Sequence, residues 1–349
     1  MCFAGRSDST AGRPVRFFMS SQKNNIIWNL LKILLAVMLA GFVLSRTDLG
    51  QLSGLPGRIS APWLLVTAVL YLSLTLLKAA QYHLLLHGRM GYPQVLNVTV
   101  LQNAVGNYFA TGAGVLSYFT LLRAEYDVRV SRAFLLFLLT KLGDLIALGV
   151  GLLVSAALLG DQLQPLRSLT VGLLAGIGIV LLAFTCTVTL RRMFVDLLTG
   201  ALGRMKLTRF RPVQKGLELL QAFADAEPGM WLSRLGWVML LSLVYFAVSV
   251  GWYYSMFQVF TFPVRPAGAA YVSTMLQLLS YFPIQIFGGL GVSDVSALYL
   301  WGVLGVEQSV MAPVLVGSRI LFYLLNLLPL IYLPVYALFL QKTERTSPH

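Results

Sequence analysis

The chain has 349 residues, of which 57% are hydrophobic and 11% are charged, and its net charge is +13. An average soluble domain is about 45–50% apolar and about 25% charged, so this composition excludes an ordinary soluble enzyme. A mean hydropathy of +0.77 also excludes a disordered chain, and it predicts a single polytopic membrane domain.

The apolar runs, taken in chain order, predict an all-α bundle with about six full membrane spans. A helix needs about 20 predominantly apolar residues to cross a bilayer, and each run is long enough. The predicted spans are residues 26–45, 63–86, 133–159, 169–190, 235–259 and 311–340. A basic leader at 1–25 and a tail at 341–349 flank this transmembrane domain, which covers 26–340.

Two further apolar segments are interrupted by glycine. Residues 95–122 are broken at 111–114, and residues 267–306 are broken at Pro283 and at 288–291. A broken backbone at membrane depth is tolerated only where it is buried in protein or lines a cavity. The sequence therefore predicts two re-entrant or discontinuous helical hairpins. Backbone donors and hinges are predicted at Gly112, Gly114, Gly289 and Gly291.

The basic residues orient these spans. With the N-terminus in the cytoplasm and each hairpin returning to its own side, 17 of the 26 Lys and Arg residues fall inside. Four fall outside: Arg46, Arg58, Arg167 and Arg265. Five lie within or at the ends of spans: Lys32, Lys78, Lys141, Arg234 and Arg319. By the positive-inside rule, this asymmetry predicts a multi-pass protein of the cell membrane with both termini cytoplasmic, and no nucleic-acid partner.

The two broken segments resemble each other, which predicts an internal repeat. In the first, Val115 follows the glycine turn, and Lys141 comes 26 residues later inside an apolar helix. In the second, Val292 follows the turn, and Arg319 comes 27 residues later. In the predicted orientation, the units at about 60–160 and 232–340 are inverted copies of each other. Inverted repeats are typical of transporters that bind substrate near the bilayer midplane.

Charged residues inside the first unit are candidates for substrate contact or transport. A charge at the bilayer centre costs about 2.5–3.5 kcal/mol, so each one needs a partner or a function. Lys141 and Asp144 are three residues apart on one helix face. Either they only neutralise each other or they act in transport. Lys78 is near a helix end, and it is predicted to snorkel towards the interface.

The second unit contains two further candidates, Arg319 and Asp294. The Arg319 guanidinium either binds a phosphate bidentately or forms a structural pair with Asp294, Glu307 or Asp144. Asp294 follows the glycine turn, where it either caps the next half-helix or takes part in transport. A phosphorylated lipid headgroup is the predicted partner of these cations.

The longest polar stretch is the loop at 191–231, which is amphipathic and basic. Two interpretations remain open: a connector that lies against anionic lipid headgroups, or a docking site for a lipid-modifying transferase. Motifs of soluble enzymes are missing, and His83 and His87 are predicted to be interfacial rather than metal ligands. The chain is therefore predicted to be a transporter rather than an enzyme, with no cofactor or metal.

Several motifs then resemble a known family. The first half contains Tyr108-Phe109-Ala110-Thr111-Gly112-Ala113-Gly114, Leu121-Leu122-Arg123 and Lys141-Leu142-Gly143-Asp144-Leu145. The second half contains Pro283, Gly288-Gly289-Leu290-Gly291-Val292-Ser293-Asp294 and Ser318-Arg319. Over about residues 60–340, these resemble the lysylphosphatidylglycerol synthase transmembrane-region (flippase-like) family. Members commonly have Pro-Gly before the first glycine turn, Arg where Lys141 stands and Glu where Asp294 stands.

The resemblance implies lipid translocation, either of aminoacylated phospholipids or, in stand-alone members, of glycolipids and isoprenoid-type lipids. The chain resembles a stand-alone member because it shows no soluble aminoacyltransferase domain, which the full-length multiple peptide resistance factors add. The resemblance also adds Arg123 to the candidate substrate residues. The leading hypothesis is a flippase for a phosphate-bearing lipid. The alternatives are a non-catalytic subunit that recruits a transferase through 191–231 and a membrane-embedded transferase.

Overall fold

The structure is a computed structural model that describes residues 59–86, 90–185, 188–204, 229–281 and 291–338, with a few isolated positions between them. The predicted leader, first span and tail lie outside the described residues, as does most of the loop between 205 and 228. The described residues are helical almost throughout, and they include no β-strand.

The described helices follow one another with short connections. In chain order they are α1 Ala61–Leu86, α2 Tyr92–Tyr108, α3 Thr111–Ala124, α4 Val130–Leu159, α5 Arg167–Thr185, α6 Val188–Arg204, α7 Gly229–Val259, α8 Pro266–Leu279, α9 Val292–Val303 and α10 Gln308–Leu330. A 3-10 segment, Gly160–Leu166, connects α4 to α5, and residues 332–338 continue as helix after α10.

Four helical stretches in the described part of the chain are long and apolar enough to cross a membrane. They are Ala61–Leu86, Arg132–Leu182, Leu235–Val259 and Gln308–Leu338, and the second of them contains both α4 and α5. Large apolar side chains lie exposed on their outer faces, for example Leu65, Leu158 and Ile179. A surface of this kind suits lipid and not water. The prediction of an all-α membrane protein is confirmed.

The first hairpin consists of α2 and α3, and its break lies two residues earlier than the sequence predicts. Phe109 and Ala110 separate the helices, and Ala110 is extended at φ −159° and ψ 143°. The Ala110 carbonyl accepts a bond of 3.1 Å from the Gly114 N–H, so residues 111–114 form the first turn of α3. Gly112 and Gly114 are therefore helical and do not form the turn.

Gly114 has a packing role in this hairpin. A Cβ placed there would lie 2.7 Å from the Gln102 carbonyl oxygen and 2.8 Å from Gly106 Cα. The two helices thus approach backbone to backbone where Gly114 faces Gly106, as small residues permit in membrane helices. Gly112, by contrast, has no atom within 4 Å of a Cβ placed on it.

The second hairpin consists of α8 and α9, and its glycines lie where the break is predicted. Gly289 and Gly291 have φ values of +84° and +82°, a conformation that favours glycine. Gly291 is the residue immediately before α9. Pro283 and Gly288 lie outside the described residues. The predicted glycines therefore interrupt the helix in the second hairpin, whereas in the first they lie within α3.

The long helix α7 lies at the centre of the bundle and packs along both α1 and α4. Helix α8 packs against α4, whereas α10 contacts α2 and α9. Helices from the two halves of the chain are therefore interleaved, and residues distant in sequence meet between them.

Candidate functional site

Asp144 on α4 lies at the centre of the first charged cluster. The Lys78 ammonium on α1 is 2.6 Å from Asp144 Oδ2, whereas the Lys141 ammonium is 3.9 Å away. Lys78 and Asp144 are both 9% exposed. Lys78 precedes the end of α1 by eight residues, or about 12 Å, so it turns inward to this carboxylate. The prediction that Lys78 snorkels is wrong, and Lys141 is the more distant of the two partners.

A closed ring of hydrogen bonds surrounds this pair. Lys78 also donates to Gln81 Oε1 at 2.9 Å, and Gln81 Nε2 donates to Ser242 Oγ at 2.9 Å. Ser242 in turn donates to Asp144 Oδ1 at 3.2 Å. A Cβ on Gly143 would lie 2.7 Å from Ser242 Oγ, so glycine there allows α4 to approach α7. Buried charges are tolerated when they are paired and hydrogen-bonded in this way.

Lys141 is held less tightly than Lys78. Its side chain is 36% exposed, and its ammonium lies 5.0 Å from the Tyr281 ring centroid and 5.7 Å from that of Phe137. In the described part of the molecule, this ammonium makes no hydrogen bond. Its contacts are the two rings and the long ion pair with Asp144.

Asp294 and Arg319 form the second charged cluster. Arg319 Nε on α10 donates to Asp294 Oδ1 at 2.6 Å, and the Gly291 N–H donates to Asp294 Oδ2 at 3.0 Å. The guanidinium also lies 5.7 Å from the Phe322 ring centroid. Of the acids that the sequence offers to Arg319, Asp294 is the partner. Asp294 also caps α9, which is one of the two roles that the sequence predicts for it.

Each charged cluster faces a cavity. The larger cavity, of about 260 Å³, contains Asp294 and Arg319 in its wall. Its other walls are mainly aromatic rings and small polar groups: Tyr245, Ser249, Trp252, Tyr253, Phe257, Ser273, Gln277, Ser280, Ser293, Ser318 and Phe322. The smaller cavity, of about 130 Å³, is lined by Lys78, Lys141 and Asp144.

The two cavities adjoin each other. Tyr245, Gln277 and Ser280 line both of them. Tyr245 comes from the central helix α7, whereas Gln277 and Ser280 come from the end of α8. The charged residues from the two halves of the chain therefore face neighbouring spaces across a shared polar wall.

A third polar cluster joins the halves, and the sequence analysis missed it. Asn326 on α10 accepts bonds through Oδ1 from the Tyr71 hydroxyl and from Asn107 Nδ2. Its own amide donates to the Phe322 carbonyl at 2.7 Å. Asn326 is buried, and an asparagine inside the apolar run of α10 was the available signal.

Other predicted residues lie apart from the cavities. Arg123 is exposed in the last turn of α3 and lines neither cavity. Gly112 and Gly114, in the first turn of the same helix, line neither cavity either. His83 packs edge-on against Tyr92 at 5.8 Å, and His87 lies outside the described residues.

Residues 29–329 match the family model described as the lysylphosphatidylglycerol synthase TM region. The match includes α1 to α9, nearly all of α10, and the residues of both charged clusters. Searches of curated proteins and of solved structures gave no match. Since the matched region covers most of the sequence, the chain belongs to the family of the lysylphosphatidylglycerol synthase transmembrane region.

Proposed function

We propose that this protein moves a phosphate-bearing lipid between the two leaflets of the cell membrane. Its family connects it with membrane lipids. The observation that carries the proposal is the arrangement of the ion pairs. The buried pair Lys78–Asp144 and the partly buried pair Arg319–Asp294 face adjoining cavities inside an apolar helical bundle. Intramembrane charges that face a cavity mark substrate pathways in many transporters.

We further propose that the two halves are inverted repeats with re-entrant hairpins. Each half contains a long helix, a hairpin and another long helix: α1, α2–α3 and α4, then α7, α8–α9 and α10. At 1.5 Å per residue, the hairpin helices measure about 18–25 Å, less than the ~30 Å hydrocarbon core. Their lengths of 17, 14, 14 and 12 residues therefore support helices that enter and return.

In this proposal the headgroup occupies the two cavities while the acyl chains remain in lipid. Arg319 and Lys141 contact the phosphate, and Asp144 and Asp294 adjust the charge of the cations. The larger cavity, of about 260 Å³, is slightly smaller than the about 300–1,000 Å³ typical of small-molecule pockets. Gly291 acts as a hinge, because its left-handed backbone lies between the two arms of the second hairpin, immediately before α9, which contains Asp294.

Proteoliposomes test the proposal directly. Wild-type protein is expected to make fluorescent acyl-labelled phosphatidylglycerol on the inner leaflet accessible to external dithionite. Replacing both Lys141 and Arg319 by alanine is expected to lower the rate to that of protein-free liposomes. The matched control replaces Arg129 and Arg265, two exposed cations that line neither cavity. Equal rates in the wild type and the Lys141/Arg319 variant would contradict the site.

A second candidate function is a non-catalytic subunit that recruits a lipid-modifying transferase. The observation that favours it is the exposed apolar surface of α6, where Met193 and Leu197 are 54% and 66% exposed in a basic, amphipathic segment. A transferase that co-purifies with the chain, is lost on deletion of the loop at 191–231 and accompanies an absence of flipping would support this function instead.

A further inference from the structure

The two cavities differ in their balance of charge. In the larger cavity, the Arg319 guanidinium is matched by the Asp294 carboxylate. In the smaller cavity, two ammonium groups, Lys78 and Lys141, share the single carboxylate of Asp144. Among the described lining residues, the smaller cavity therefore has one positive charge in excess.

This excess charge is located mainly on Lys141. Lys78 holds Asp144 at 2.6 Å and the Asp144 carboxylate also accepts from Ser242, so Lys141 remains at 3.9 Å. Two aromatic rings beside it provide a modest cation–π attraction. A cation inside a membrane bundle is stabilised far better by an anion, to which its three N–H groups can donate.

We propose that the smaller cavity is an oxyanion site that takes a phosphate group, with Lys141 as its principal donor. This deepens the proposed function, on which it rests for the identity of the lipid. The phosphate lies in the smaller cavity, and the rest of the headgroup extends past Gln277 and Ser280 into the larger one. Arg319, already matched by Asp294, contacts that outer part of the headgroup and the edge of the phosphate.

Lys78 is a positioning residue in this proposal, because it occupies Asp144 and so leaves Lys141 available. If Lys78 loses its charge, Lys141 can move onto Asp144, its neighbour at i+3 on the same helix. The cavity then has no net charge, and anion binding falls although Lys141 itself is unchanged. Removing the Asp144 charge as well restores one positive charge and therefore restores binding.

The test measures dissociation constants with the full chain in a non-ionic detergent. The probes are dihexanoyl phosphatidylglycerol, inorganic phosphate and uncharged dihexanoylglycerol. Lys141→Gln and Lys78→Met are each expected to weaken phosphatidylglycerol binding by about tenfold or more, as the loss of a charge-assisted hydrogen bond implies. Lys141→Arg, Lys78→Met/Asp144→Asn and the control Arg129→Gln are expected to stay within about threefold of the wild type.

Equal affinity of the wild type and Lys141→Gln overturns the proposal, and so does binding of dihexanoylglycerol as tight as that of the phospholipid. A folded Lys78→Met/Asp144→Asn variant that does not regain binding overturns the dependence on cavity charge. Monodispersity and the thermal unfolding midpoint identify variants that have not folded. Should Lys78→Met not fold, Lys141→Gln and Lys141→Arg alone decide the outcome.

The two probes distinguish the source of the phosphate group. If inorganic phosphate binds and competes with the lipid, the phosphate group alone is recognised; if only the lipid binds, its glyceride part is needed too. Failure of both phosphatidylglycerol and inorganic phosphate to bind the wild type overturns the site. If binding depends on the cavity charge but the protein does not flip lipid, the phosphate site is supported and the transport function is contradicted. If the flipping rate is the same in all the charge variants, transport is supported and the phosphate site is contradicted.

Discussion

The two halves of the molecule place similar residues in different structural roles. In the first half, the acid Asp144 lies on a spanning helix and is shared by two lysines, and Gly114 serves helix packing. In the second half, Asp294 lies at the start of a hairpin helix, where it pairs with one arginine beside the left-handed Gly291. The charged cluster of the first half thus has one positive charge in excess, whereas that of the second half is balanced.

Removing the acids is expected to give the largest effects. Asp144→Asn leaves two lysines without a carboxylate and should lower the free energy of unfolding by about 3–5 kcal/mol. Asp294→Asn removes one charged hydrogen bond, for a loss of about 1.5–3 kcal/mol. Thermal unfolding of detergent-solubilised protein compares the two. The proposed difference between the two clusters is contradicted if Asp294→Asn lowers the unfolding midpoint more than Asp144→Asn does. It is also contradicted if adding Lys78→Met to Asp144→Asn does not raise the midpoint again.

Gly114→Ala is expected to come next, because its methyl group meets backbone atoms of α2 and not a flexible side chain. Overpacking of this kind costs about 1–3 kcal/mol. Gly112→Ala is the matched control in the same helical turn, and it should be neutral or stabilising because alanine favours helix. Unfolding midpoints measured side by side check this. Similar midpoints for the two variants would mean that the hairpin glycines have no separate packing role.

Gly291→Ala is expected to cost about 1–2 kcal/mol, the usual penalty for a side chain in the left-handed region. Gly305 has a similar φ of +84° in the connection between α9 and α10, and it lines neither cavity. Gly305→Ala should therefore lose similar stability and keep its transport rate, whereas Gly291→Ala should lose both. Equal transport by the two variants would contradict the hinge.

Arg123→Ala is expected to have the smallest effect. The motif resemblance includes this residue, but the structure places it exposed at the end of α3, away from both cavities. Flipping rates and unfolding midpoints should match the wild type. A clear loss of transport would extend the functional surface of the first half to the end of its hairpin.

The sequence predicts those features that depend on local patterns. Apolar runs locate the helices, since the hydrophobic requirement for a membrane span is read directly from composition. The i,i+3 spacing of Lys141 and Asp144 places them on one face, and they do form an ion pair, although a long one. Gly291 lies within the break that the glycine run predicts, and its φ of +82° is a conformation that glycine adopts readily.

Features that depend on long-range contacts are not predicted from the sequence. Lys78 looks like a snorkelling lysine because Asp144, its partner, is 66 residues away on another helix. Gly114 looks like a turn residue because its close neighbour, Gly106, is apparent only once α2 and α3 fold back on each other. The polar cluster around Asn326 likewise forms only when α1, α2 and α10 meet.

The central claim is that cations facing the adjoining cavities carry a lipid headgroup across the membrane. The most direct test is the initial rate at which dithionite gains access to inner-leaflet phosphatidylglycerol in proteoliposomes. The account predicts a fast rate for the wild type and for the Arg129/Arg265 control, and the protein-free rate for the Lys141/Arg319 variant. A wild-type rate no faster than that of protein-free liposomes, or an undiminished rate in the Lys141/Arg319 variant, would contradict it.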